Sequence, residues 1–327
     1  GREEGAAGKR FSKAEALRLY PILEERKRKE RINEMVENMP DNYELITNKE
    51  RLDEVIELLN EETTVVFDVE TTGTDIWHDK IVGHVLSAIK ANKHFYIPTD
   101  HIDASVPQLN RDYVAEKLRP IYENKRIGLI AHNAKFDMQM LRNNFGIIVR
   151  NLIWDTMEAQ FLLNENEQSY ALKPLATKYL KDKSYSYGEL FGSKGFHEVP
   201  LKEALAYAAK DGDITYRFHD FQKYHMRKIG NIYEYFTSVE MPLINIVNEI
   251  ELRGYDIDDE YAKKYESELE REISKMAKEI RKELGDINLN SPAQLKPAIE
   301  KAIGKSIPNT NAKKTLKPLA KEYPIIA

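Results

Sequence analysis

Apolar and polar positions along this chain repeat with a period that switches between helix and strand. Residues 9–38 are dense in charge with apolar residues at helical spacing, and predict a charged helix that Pro21 bends or divides. Pro40-Asp41-Asn42 breaks the pattern. A short strand is then expected over residues 43–47 and a helix over 51–59. Residues 63–70 (TTVVFDVE) are β-branched and apolar and predict a buried central strand. Strands over 81–89 and 94–97 extend it into an antiparallel meander. A helix over 113–123, a strand over 127–131 and a helix over 134–145 come next. Beyond Trp154 the pattern is helical, over 156–164, 172–180, 201–226 and 231–253. A mixed sheet followed by helices is an α/β or α+β domain. After the break at Gly254, a long charged helix spans 259–284, stopped by Gly285. A shorter helix follows with Ser291 at the N-cap and Pro292 at its first position, and the tail holds one more amphipathic segment.

With 327 residues, the chain has room for two cores. A composition 42% hydrophobic and 31% charged describes a soluble globular protein. The net charge of −5 excludes a uniformly basic nucleic-acid binder but allows a local basic stripe. With no cysteine, disulfides, thiolate zinc sites and thiol nucleophiles are excluded. No apolar run reaches the roughly 20 residues needed to span a bilayer, and the first residues lack a signal-peptide core. The expected location is the cytoplasm, with no membrane partner. The absent initiator Met suggests a processed or excised start.

Three acidic constellations carry the candidate chemistry. Asp68 and Glu70, two apart on a strand, point to one face where the strand opens into Thr71-Thr72-Gly73. Such a pair repels itself unless a cation sits between. Asp137 falls in the first turn of the helix after His132-Asn133-Ala134. Tyr207 and Asp211, four apart, share a helix face. Each alone has a bland reading: an exposed strand end, a charge complementing a helix N-terminus, a structural pair. His132 reads as a packed histidine and Asp213 as a surface or capping charge. Together, four carboxylates without Cys or His suit two divalent ions, Mg²⁺ with Mn²⁺ as substitute, arranged for in-line attack on a phosphodiester. Tyr207 would orient the attacking water.

These residues carry a family resemblance. DVETTG (68–73), HNAKFD (132–137) and YAAKD (207–211) resemble the three motifs of the tyrosine-bearing branch of the DEDD 3′-5′ exonucleases. WDTM (154–157) and SYALKPLA (169–176) are similar to its intervening segments. The resemblance implies an RNase H-like fold in which Asp68, Glu70 and Asp211 hold one metal, and Asp68 also holds a second with Asp137 acting through water.

Residues 240–258, NLNSPAQL (288–295), Asn309-Thr310-Asn311 and 319–324 resemble the entry and tip of the thumb of family A DNA polymerases of the bacterial and phage polymerase I type. The expected organisation is a charged helical extension over 1–41, a 3′-5′ exonuclease domain over 42–228 and a partial all-helical thumb over 229–327. The expected activity is proofreading: hydrolysis of the 3′-terminal phosphodiester of single-stranded or frayed DNA. Thr71, Thr72 and Asn133 are the expected strand contacts. Tyr185, Tyr187 and Phe191 are candidates for base stacking or core packing. The lysines at 296, 301, 305, 313, 314 and 317 would follow duplex phosphates of a primer-template or form a solvated surface. No palm or fingers motif precedes Ala327, so polymerisation would need a missing C-terminal half or a partner chain. The competing readings are an RNA-trimming exonuclease and an idle DNA-binding module.

Overall fold

A computed structural model describes residues 13–326, which cluster as two units that divide after Arg253. The expectation for residues 9–12 lies outside the described residues.

The first unit is built on a six-stranded mixed sheet. Its strands are β1 (Tyr43–Leu45), β2 (Thr64–Thr71), β3 (Ile81–Ala88), β4 (Lys93–Pro98), β5 (Gly128–Ala131) and β6 (Leu152–Asp155), in spatial order β1-β4-β3-β2-β5-β6. The β2–β3–β4 meander is antiparallel, whereas β1, β5 and β6 join in parallel. All eight residues of β3 are buried, as expected of a strand covered on both faces. β6 has no counterpart in the sequence-based expectations: four residues between a loop and a helix are too few for a strand period to show.

The helices are α1 (Lys13–Glu37), α2 (Lys49–Asn60), α3 (Arg111–Tyr122), α4 (Ala134–Phe145), α5 (Thr156–Leu163), α6 (Leu172–Leu175), α7 (Tyr187–Phe191), α8 (Leu201–Met226), α9 (Ile232–Tyr235) and α10 (Met241–Arg253). Asn48, Asn110 and Asp155 cap α2, α3 and α5 by accepting N–H groups of the first turn. α8 lies along the sheet and contacts β1 through β5. A tight approach is built into it at Gly212, where a Cβ would stand 2.4 Å from Ser87 Oγ and 3.2 Å from Val85 Cγ1 on β3. α1 runs through Pro21 without a break. Proline removes one helical bond, and the carbonyl it frees, at Leu17, sits on an exposed residue where water can serve it. The charged run on α1 pairs with itself: Arg26 with Glu30, Lys27 with Glu24, Arg28 with Glu25.

The second unit opens with α11 (Asp259–Leu284), capped by Asp258 and ended by Gly285 at φ 88°. α12 (Pro292–Ile303) follows. The Asn288 N–H donates to Gln294 Oε1 and the Asn290 N–H to Asn288 Oδ1, so the NLNSPAQL segment is a self-bonded helix start. Ile299, Ile303 and Ile307 form a small core with Leu284, Leu295, Leu316 and Leu319. One face of α11 exposes Tyr261, Tyr265, Leu269, Ile273, Met276 and Ile280. No helix of the described residues is long and apolar enough to cross a membrane.

Candidate active site

Three elements converge where β2 ends. β2 brings Asp68 and Glu70 to one face, and its ladder with β3 slips between Glu70 and Thr71, a bulge that bends the strand away. α8 contributes Tyr207 and Asp211, and α4 contributes Asp137. One oxygen each from Asp68, Glu70 and Asp211 lie within 4.8 Å of one another. Asp137 is buried beside Asp68 and accepts the backbone N–H of Val69 at 3.0 Å. The carboxylates, Tyr207, Thr71, Thr72 and Asn133 all line a cleft of about 350 Å³.

The electrostatics of the cluster are those of carboxyl groups crowded together away from water. Burial raises the carboxyls of Asp68, Glu70 and Asp137 above their ordinary values, and the charge on Asp68 raises Glu70 and Asp137 further. Glu70 Oε1 is buried with no hydrogen-bond donor. Burial also raises the Tyr207 phenol far above its ordinary value, helped by Glu70 and Asp68, so it keeps its proton. Desolvated oxygens facing one another, one of them orphaned, fit divalent cations of the Mg²⁺ or Mn²⁺ type.

The flanking loops hold this geometry. Thr71 Oγ1 donates to the Gly73 carbonyl, and Thr72 Oγ1 donates to Asp79 while accepting the Lys80 N–H. At Gly73 a Cβ would stand 2.5 Å from the Asp79 carboxylate, so a larger residue would have to push Asp79 off Thr72 and the Asp75 N–H. Asn133 adopts the left-handed conformation at φ 61° and makes no cap hydrogen bond, which leaves its amide free at the cleft. His132 packs inside, its Nδ1 bonded to Thr156 Oγ1 at 2.8 Å, and burial brings it down to about 4.

Of the aromatic candidates, Tyr187 lines the cleft, while Tyr185 donates to Glu34 and Phe191 is buried in the core beside Tyr207. Asp213 departs from its expected surface role. It accepts the Tyr43 hydroxyl and two Arg217 donors near His94, because α8 turns it toward β1 and β4 rather than outward.

Two residues of the site escaped sequence reasoning. The buried Asp155 carboxylate accepts N–H groups from Asn133, Ala134, Met157 and Glu158, and so ties the start of α4 to the start of α5. Its signal was the Asp-x-x-Glu spacing of a capping box at 155–158. Lys173 on α6 is buried, forms an ion pair with Asp211 and stands 4.4 Å from the Tyr207 ring centre. Burial pulls its ammonium below the ordinary lysine value, and Glu70 and Asp68 act against that pull. Its signals are a lone lysine within the apolar ALKPLA stretch and the place of that stretch in the segment similar to the exonuclease family.

A mixed sheet with acidic residues converging from its central strand and two helices is the arrangement expected of a 3′-5′ exonuclease domain. The family model described as 3′-5′ exonuclease, the exonuclease family of family A DNA polymerases, matches residues 43–224, and the chain belongs to this family. DNA polymerase I of Pseudomonas aeruginosa is 28% identical over 260 residues, covering 77% of this chain and 28% of the relative. DNA polymerase I of Borreliella burgdorferi is 31% identical over 270 residues, covering 81% and 29%. The chain thus spans less than a third of the length of these relatives. Among solved structures, the POL domain of Pol1 from M. smegmatis, in complex with DNA primer-template and dNTP, superposes with a TM-score of 0.65. It is 18% identical, covering 86% of this chain and 46% of that one, a likeness of fold. The exonuclease family uses divalent metals, in keeping with the acidic cluster.

Proposed function

We propose that this chain is the proofreading part of a family A DNA polymerase. It removes nucleoside monophosphates from single-stranded or frayed 3′ ends of DNA in the cytoplasm. The observation that carries the reading is the meeting of Asp68, Glu70 and Asp211 oxygens within 4.8 Å, with Asp137 buried alongside. These four carboxylates are the residues to hold two Mg²⁺ ions, with Mn²⁺ as substitute. When bound, the ions supply an activated water and charge to stabilise the leaving 3′ oxygen.

The protein's own groups do the remaining work. The protonated Tyr207 phenol offers its O–H and a lone pair at the cleft wall, which orients a water without taking its proton. Thr71, Thr72 and Asn133 edge the cleft and meet the strand through backbone and amide groups, and Tyr187 offers a face for a terminal base. Residues 1–41 form an extension, 42–228 the exonuclease and 229–327 part of a thumb. The thumb lysines at 296, 301, 305, 313, 314 and 317 follow the primer-template backbone. Polymerisation would require palm and fingers in addition to these segments.

The test is release of mononucleotides from 5′-labelled single strands of DNA and RNA with Mg²⁺. The expected result is faster cutting of DNA, abolished by Asp68→Ala plus Glu70→Ala. Tyr207→Phe is expected to slow hydrolysis by about two orders of magnitude, the low end of what a side chain hydrogen-bonded to a reacting group contributes, with Mn²⁺ affinity unchanged. A strong preference for RNA, or activity surviving the double substitution, overturns the reading.

A further inference from the structure

Lys173 is a basic side chain buried against the acidic cluster, and the reaction above gives it no task. Buried lysines are rare unless fully paired, yet its Nζ has an ion pair with Asp211 and no well-formed hydrogen bond. Glu70 and Asp68 also lie within electrostatic reach of it. It reaches the cluster from a different space than the substrate would. The carboxylates line the cleft, whereas Lys173 lines a second cavity of about 600 Å³, and Tyr207 forms a wall of both. That cavity contains Asp182, which is paired with Lys210 at 2.8 Å and Arg217 at 2.6 Å and whose charge also acts on Lys173. The Lys210 charge beside Asp182 works against the Lys173 ammonium more than Asp182 draws it, so the anionic partners that hold Lys173 are those of the cluster.

An ammonium and a divalent ion cannot share one carboxylate oxygen without strong repulsion. We propose that Lys173 is a tethered counter-cation for Asp211, which competes with the divalent ion for that carboxylate and gives way when the ion binds. It keeps the acidic cluster compensated before the metal arrives, and it holds metal affinity below the value the carboxylates alone would give. Whatever weakens the Lys173–Asp211 contact raises the fraction of free Asp211 and so tightens metal binding, by at most the factor by which the contact is weakened. The inference rests on the carboxylates being metal ligands.

The experiment is Mn²⁺ titration by calorimetry on the full chain, comparing wild type, Asp68→Ala and Lys173→Met, which keeps an unbranched stem without the charge. The expected result is Mn²⁺ binding about tenfold tighter to Lys173→Met than to wild type, within the span usual for coupled sites. Unchanged or weaker binding overturns the proposal while leaving the metal reading intact. Mn²⁺ binding that is absent from wild type, or unaffected by Asp68→Ala, removes both. Should Lys173→Met fail to fold, lysine acylation of wild type followed by mass spectrometry decides. Labelling of Lys173 is expected to rise when Mn²⁺ is added, and an unchanged or lower rate overturns the proposal.

Discussion

The Asp137 carboxylate accepts the backbone N–H of Val69, the residue between Asp68 and Glu70, at 3.0 Å. One side chain thus fixes α4 to the strand and adds a fourth charge beside Asp68. The two jobs separate by substitution. Asp137→Asn keeps an acceptor for the Val69 N–H and removes a like charge, so its melting temperature in EDTA is expected to match or exceed wild type while exonuclease activity falls by two orders of magnitude or more, on the order expected for loss of transition-state charge stabilisation. Asp137→Ala leaves a buried N–H unpaired and is expected to cost about 1–3 kcal/mol in denaturant unfolding. Equal stabilities of the two variants would contradict the hydrogen-bond role.

Asp155 touches no substrate and no metal ligand, yet it caps the helix that presents Asp137. Asp155→Ala is expected to lose roughly 1–2 kcal/mol for the α5 cap it removes, with a further loss for the α4 start. Activity should fall with Mg²⁺ affinity weakened, since Asp137 loses its support. Urea unfolding and Mn²⁺ calorimetry on the same variant check both halves.

Gly212 sets the depth at which Asp211 hangs over the sheet. Gly212→Ala places a methyl 2.4 Å from Ser87 Oγ, so either the Ser87 hydroxyl turns off its His94 partner or α8 shifts. The expected outcome is destabilisation of about 1–3 kcal/mol with loss of exonuclease activity. Adding Ser87→Ala removes the nearest clashing atom and should restore part of both, measured by melting temperature and cleavage rate. No recovery in the double variant would mean the clash lies elsewhere.

Stability should respond to pH through the carboxyl cluster. Asp68, Glu70 and Asp137 have folded values above their unfolded ones, mainly by burial. The folded state therefore holds protons that the unfolded chain releases. This contribution favours the fold at low pH and is lost as pH rises from the ordinary carboxyl range toward the raised values. Divalent ions reverse the cost of ionisation. The gain in melting temperature on replacing EDTA with Mg²⁺ is thus expected to be larger at about pH 8 than at about pH 5.5, by scanning calorimetry; an equal or smaller gain contradicts the assignment.

What the sequence reveals of this architecture follows its periodicities. Asp68 and Glu70 are legible because a strand returns to one face every second residue, and Tyr207 and Asp211 because a helix does so every fourth. The meander of β2, β3 and β4 is legible from three apolar runs separated by polar breaks. β6 offers too short a run. Lys173 and Asp155 act across the fold, on partners that no local pattern connects to them. Asp213 reads as external because Tyr43, whose hydroxyl it accepts, lies on another element far off along the chain.

The cleft has no local existence. Its acids come from one strand and two helices that sit far apart along the chain, and they meet only when α8 has settled on the sheet at Gly212. The assembled cluster therefore depends on long-range closure: a chain in which α8 has not packed on the sheet carries every acidic residue without bringing them together. Nuclease activity on this chain doubles as a readout of finished folding, sensitive to long-range closure that measurements of helix content would miss.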